Sequence, residues 1–250
     1  MQQSKQNQRR KGDRRDPTHI KPKFKEQRQQ EVICNPLRAL NQKQAEYIRL
    51  IETKPCIIAT GFAGSSKSYI PTVMAADAYK LGTINKIIIT RPAISTSKTV
   101  GFTSGDFSTK MRMWLGGVVP ILKERLGPML DIALEHEDIS FIPLEVIKGM
   151  SINDAFIIVE EASDLTKEEV IKIVTRLGKN ATLILAGDVR QSELKGESGL
   201  VWLVDFVKRH NMQDTFGFID FNSTSDIVRS DSVKQFIINL VRDEKKSSQS

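Results

Sequence analysis

Short, uninterrupted apolar runs punctuate this chain: "CIIAT" at 56–60, "KIIIT" at 86–90, "ISFIPLEVI" at 139–147, "AFIIVE" at 155–160, "ATLILAG" at 181–187 and "GFIDF" at 217–221. Runs of this length, bounded by turn residues, predict short buried strands. Between them, residues 68–81, 118–126, 167–177, 200–210 and 232–242 predict helices, with Pro71 confined to the opening turn of its helix. A further helix is predicted over 38–53, where Leu40, Ala45, Ile48 and either Leu50 or Ile51 form one broad apolar face. Strands alternating with helices predict an α/β fold: a mostly parallel sheet covered by helices on both faces. Ligands in such sheets sit beyond the carboxyl ends of the strands, so the loops after Thr60, Thr90, Glu160 and Gly187 are expected around one crevice.

Charge divides the chain. The first thirty residues hold ten Lys or Arg and three acidic residues; the whole chain holds 37 and 30, leaving 27 of each sign for the rest. Residues 1–32 are too poor in apolar side chains to build a core and are expected to form a disordered basic tail. Such a tail suits contact with the phosphates of RNA or DNA, a solubilising role, or attraction to an anionic membrane surface. Residues 33–243 are expected to form a single domain and 244–250 a polar end. No run is apolar for long enough to cross a bilayer, and Cys34 and Cys56 lack metal-ligand or C-x-x-C spacing, so both are expected as free thiols.

The candidate chemistry lies at the strand ends. "GFAGSSKS" fits G-x-x-x-x-G-K-[ST] except that Ser66 stands where the last glycine is expected. A strand, this loop and a helix together form a cradle: the backbone from Gly61 through Phe62, Ala63, Gly64, Ser65 and Ser66 to Tyr69 turns N–H groups toward phosphates. Lys67 supplies a cation and Ser68 an oxygen for Mg²⁺. Whether Ser66 is tolerated depends on whether its position requires a positive φ; the alternative is a plain turn. Glu160 and Glu161 end an apolar strand, where Glu160 can hold Mg²⁺ and Glu161 can activate water, unless they form an acidic helix cap. In "GDVRQ", Asp188 and Gln191 can report a γ-phosphate, although Gly-Asp is also a common turn. Arg91 suits either a nucleic-acid phosphate or a structural carboxylate. Arg229 and Arg176 are candidates to complete a neighbouring subunit's site, with surface ion pairs as the alternative.

Taken in order, "NQKQAEYI", "GFAGSSKS", "TRP", "GFTSGD", "KGMSINDAFIIVEEAS", "TRLG", "GDVRQ", "SGL" and "DIVRS" resemble the PhoH-like ATPases, relatives of superfamily 1 helicase motor domains, from about residue 40 to 241. The resemblance implies a RecA-like P-loop NTPase fold, ATP and Mg²⁺ as cofactors, and contact of Asn41 and especially Gln42 with the adenine. It also implies a cytoplasmic homo-oligomer, with a hexameric ring as one form, that hydrolyses ATP while binding or remodelling RNA or single-stranded DNA. A nucleotide-gated binding or assembly protein with little turnover is the alternative, and a nucleic-acid binder with an inactive nucleotide fold a second. Ser66, Glu160, Ser163, Asp164, Lys148, Met150, Thr103 and Ser104 depart from the common family pattern. These departures and the basic tail together suggest a bacteriophage version.

Overall fold

The computed structural model describes residues 34–92, 116–147, 149–192 and 196–247. The expected tail, the 101–106 loop with Thr103 and Ser104, and Lys148 lie outside the described residues. In chain order the elements are α1 (Gln42–Thr53), β1 (Cys56–Gly61), α2 (Tyr69–Lys80), β2 (Lys86–Thr90), α3 (Val119–Leu126), α4 (Met129–Glu135) and β3 (Ile139–Phe141). There follow α5 (Leu144–Ile147), β4 (Ala155–Val159), α6 (Lys167–Val174), β5 (Ala181–Gly187), α7 (Gly199–Arg209), β6 (Phe216–Phe221) and α8 (Asp231–Ser247).

The six strands form one sheet in the order β3-β2-β4-β5-β1-β6, and every pairing is parallel. Period-2 side-chain alternation divides the apolar residues between two cores. Ile57, Ala59, Ile87, Ile89, Ile158 and Ile184 pack with Tyr47, Ile70, Ala76, Leu122 and Leu130 from α1 to α4. Their sequence neighbours Cys56, Ile58, Ile88, Ile157, Leu183 and Leu185 pack with Ile147, Val170, Ile173, Leu203 and Val207 from α5, α6 and α7. Burial on both faces is why the strands read as unbroken apolar runs.

Three local expectations change. The run at 139–147 is not one strand: β3 ends at Phe141, and Pro143, which has no N–H to donate to a ladder, precedes the single helical turn α5, where the Val146 N–H donates to the Pro143 carbonyl at 3.0 Å. Gly127, at φ 53, and Pro128 end α3, after which α4 forms as a helix of its own. The apolar face expected on the first helix is rotated. Leu40 precedes α1 and is 73% exposed, Ala45 is exposed, and Gln44, Tyr47, Leu50 and Ile51 are the buried residues. At the chain's far end α8 continues to Ser247, through most of the polar end expected at 244–250.

Candidate active site

The strand order sets β2, β4, β5 and β1 side by side, so the loops carrying Arg91, Glu160 and Glu161, Asp188 and the glycine-rich segment meet at one sheet edge. There they open onto a cavity of about 900 Å³ lined by Gly64, Lys67, Ser68, Glu160, Glu161, Asp188, Gln191 and Arg229. Residues 35–38, Leu40, Gln44, Tyr69 and Ile121 also line it.

The glycine-rich loop holds its shape by contacts that explain its sequence. Gly61 (φ 116) runs so close to the Phe221 backbone that a Cβ would collide with it, and the Phe62 N–H donates to the Phe221 carbonyl at 2.9 Å. Gly64 (φ 78) lies under Arg229, whose Cγ would be 2.6 Å from an added Cβ. Ser66 also has a positive φ, 71°, so the position does adopt the conformation that favours glycine. In compensation its hydroxyl accepts a hydrogen bond from Gln44 Nε2 at 3.3 Å, while the Leu40 N–H donates to the same amide's Oε1 at 2.8 Å. The buried Tyr47 hydroxyl donates to the Lys67 carbonyl at 2.9 Å and adds a second tie from α1 to the loop.

Lys67 Nζ donates to the carbonyls of Gly61 and Phe62, both at 2.7 Å. Burial lowers its pKa, while Asp188, Glu161 and Glu160 pull in the opposite direction and Arg190 adds to the lowering. Ser68 Oγ donates to Glu160 Oε2 at 2.5 Å, and Glu160 Oε1 is buried with no hydrogen-bond partner among the described residues. Burial raises the Glu160 pKa and Glu161 adds to the rise; the Ser68 hydroxyl, Lys67 and Arg91 act against it. Arg91 lines the same cavity, and its charge is among those that oppose the rise at Glu160.

A magnesium ion fits this donor set. The Ser68 hydroxyl and Glu160 are adjacent, and Glu160 carries an unused, shielded oxygen. Among the described residues no group of three or more His, Cys, Asp or Glu could hold a metal, so the remaining ligands would be phosphate and water oxygens.

Glu160 and Glu161 do not diverge along an extended strand end, because the chain turns left-handed at Glu161 (φ 51, ψ 39) and enters the 3-10 turn at Ala162–Asp164. The turn keeps both carboxylates on the cavity wall. Ser163 and Asp164 join this loop to the next one: Ser192 Oγ donates to the Ser163 carbonyl at 3.1 Å and to Asp164 Oδ1 at 3.0 Å, and Ser198 Oγ donates to the Ser163 carbonyl at 2.6 Å.

The other expected site residues fall on both sides of the boundary. Gln42 is exposed and does not line the cavity, and Asn41 caps α1, its side-chain oxygen accepting from the Gln44 N–H at 2.9 Å. The cavity-lining amide is Gln44, which the sequence reading missed. Its signal was helical phase, since Gln44 shares a face with Tyr47 and Ile51. Arg229 lies across its own chain's Gly64, in cis and not directed away from the site. Arg176 follows α6 near the bridge between Ile152 and Leu177, at the amino-terminal edge of the sheet and outside the cavity. Phe62 is buried beneath Arg190, and Ala63 and Tyr69 are exposed at the cavity wall.

A parallel α/β sheet whose first strand runs through a glycine-rich loop into a helix, faced by carboxylates from neighbouring strands, defines the P-loop nucleotide-binding class. Comparison with known proteins narrows that class. The family model described as PhoH-like protein matches residues 36–241. Protein PhoH of Escherichia coli K12 is 32% identical over 199 residues, covering 78% of this chain and 56% of that protein. The PhoH-like protein of Bacillus subtilis is 32% identical over 204 residues, covering 80% and 63%, and that of Mycobacterium tuberculosis H37Rv is 33% identical over 174, covering 68% and 49%. The chain belongs to the PhoH-like protein family. It matches roughly half to three-fifths of the length of these relatives. No helix among the described residues is long and apolar enough to cross a membrane.

Proposed function

We propose that this protein is a Mg²⁺-dependent ATPase that couples hydrolysis to binding or remodelling RNA or single-stranded DNA as a homo-oligomer. The supporting observation is the gathering of Lys67, Ser68, Glu160, Glu161, Asp188 and Gln191 around one cavity. The nucleoside is assigned to the wall formed by residues 35–38, Leu40, Gln44 and Tyr69, with the triphosphate along the loop. Gln44, which lines this cavity, is assigned the contact with the base, exchanging its bonds to Leu40 and Ser66 for it.

On this reading Ser68 and Glu160 hold the magnesium ion, which would neutralise phosphate charge as it develops. Lys67 exchanges its bonds to the Gly61 and Phe62 carbonyls for phosphate oxygens, and the loop N–H groups orient the chain of phosphates. Glu161, exposed at the wall, accepts a proton from the attacking water, and Gln191 contacts the terminal phosphate. Arg229 adds positive charge in cis, and Arg176 is the residue left to reach a neighbouring subunit. The ten basic residues of the first thirty provide the phosphate-seeking surface for nucleic acid.

The test is phosphate release from ATP by wild type and Lys67→Ala, with and without Mg²⁺, RNA and single-stranded DNA, alongside mass in solution. Turnover that needs Mg²⁺ and Lys67 supports the enzyme; no turnover under any condition defeats it. A second reading, a nucleotide-gated binder with little turnover, draws on Ser66, whose strained φ departs from the glycine pattern. It predicts nucleotide affinity and assembly unchanged by Glu161→Gln.

A further inference from the structure

We propose that Arg190 is a positioning residue that masks the Asp188 carboxylate and thereby sets the preference of the cavity for a nucleoside triphosphate over a diphosphate. This rests on the nucleotide-binding reading above and adds to it a residue that lies outside the nucleotide cavity.

Asp188 is 6% exposed and begins the 3-10 turn at Val189–Gln191. Its Oδ1 accepts from the Arg190 backbone N–H at 3.2 Å and from Nε at 3.0 Å, and its Oδ2 accepts from Nη2 at 3.0 Å. A fork of this kind fixes the carboxylate plane as well as its charge. The guanidinium carbon, Cζ, lies over the Phe62 ring, 3.8 Å from its centre, and Phe62 is itself 4% exposed. Phe62 is held in turn by its N–H on Phe221 and by its carbonyl, which accepts from Lys67 Nζ and Ser65 Oγ. The guanidinium is thus clamped between the phosphate loop and the loop that carries Gln191.

Arg190 reaches Asp188 from behind. Asp188 and Gln191 line both the large cavity and a small one of about 30 Å³, whereas Arg190 lines only the small one, beside Ile237 and Leu240 of α8. The phosphate end of the large cavity already carries Glu160 and Glu161. With Arg190 removed, Asp188 would present a third carboxylate, no longer paired with its guanidinium, to an incoming anion. That repulsion falls on the terminal phosphate, the group assigned above to neighbouring Gln191, so it discriminates by phosphate number.

The experiment titrates ADP and a non-hydrolysable ATP analogue, each with excess Mg²⁺, into wild type, Arg190→Met, Arg190→Lys, Asp188→Asn and the double variant Arg190→Met/Asp188→Asn. The triphosphate-to-diphosphate affinity ratio should fall roughly tenfold in Arg190→Met, the scale of one charge-assisted interaction. In the double variant it should lie within about threefold of the ratio measured with Asp188→Asn alone, because no charge then needs masking. Arg190→Lys keeps the cation and should hold a ratio between the two, which preserves the test if Arg190→Met proves unstable. Equal loss of both nucleotides in the Met and Lys variants, or a double variant whose ratio falls below that of Asp188→Asn as far as Arg190→Met falls below wild type, shows a merely structural role and overturns the proposal. Wild type that binds neither nucleotide overturns the reading of the site itself, a result distinct from equal loss in the variants.

Discussion

Replacing Glu160 by Gln should stabilise the nucleotide-free protein while removing its response to magnesium. Glu160 Oε1 is buried without a partner among the described residues, and burial is the leading cause of the raised pKa of its carboxyl. An unsatisfied buried polar atom costs about 1–3 kcal/mol, and more when charged. Glutamine keeps the side-chain shape and still offers an oxygen to Ser68; its NH2 takes the unpartnered position of Oε1, but no charge remains there to desolvate. It also forfeits the attraction of Lys67 and Arg91, so the net gain is on the order of 1–2 kcal/mol. For a domain of this size that corresponds to about 2–8 °C in melting temperature. The sign follows from linkage. A carboxyl whose pKa is raised by folding favours the folded state fully only below its unfolded pKa of about 4.3, and that contribution is lost as pH rises through the folded value. Thermal unfolding in a chelator should therefore show the variant above wild type at pH 8, with the gap closing toward pH 5. With Mg²⁺ and a non-hydrolysable ATP analogue at about 100 times its Kd, wild type should gain about 2.7 kcal/mol that the variant lacks, reversing the order. A variant less stable than wild type at pH 8 in chelator would refute the reasoning, because Glu160 would then be a satisfied structural carboxylate.

Three further outcomes follow from the same geometry. Ser66→Gly relieves a positive φ costing about 1–2 kcal/mol but loses the Gln44 hydrogen bond and makes the unfolded chain freer. Its melting temperature should stay within about 3 °C of wild type, and a larger drop would show that the serine hydroxyl dominates. Glu161→Gln should lower ATP turnover by about 10²–10⁴-fold with nucleotide affinity changed less than about threefold, read by single-turnover kinetics beside equilibrium titration; unchanged turnover assigns water activation elsewhere. Gln44→Ala should raise the KM for ATP by about tenfold, whereas Gln42→Ala, on the exposed face of α1, should leave it unchanged. The opposite ranking would return the base contact to Gln42.

Much of this molecule was legible in local sequence. The strands β1, β2, β4 and β5 were visible because burial on both faces leaves mostly apolar residues, with Thr and Lys near their ends, and β-strand length is set within the run itself. The glycine-rich loop could be read because Gly61 and Gly64 meet backbone and side-chain obstacles that a Cβ could not share. Candidate carboxylates could be found by their place after apolar runs, since parallel strands deliver their carboxyl ends to one edge.

What the sequence alone determined, then, was the class of fold and the cradle, both products of short-range periodicity and backbone geometry. Only the tertiary structure decided which amide of "NQKQ" enters the cavity. Gln42 and Gln44 differ by two helical positions, and the face that turns inward is set by the packing of Tyr47 and Ile51 against the sheet and α2. Tertiary structure also laid Arg229 over its own Gly64 and brought Arg190 between Phe62 and Asp188. Phe62 and Arg190 are far apart in the chain and lie close only because β1 and β5 are neighbours in the sheet. Side-chain pairs of that kind depend on strand order, which no local pattern encodes.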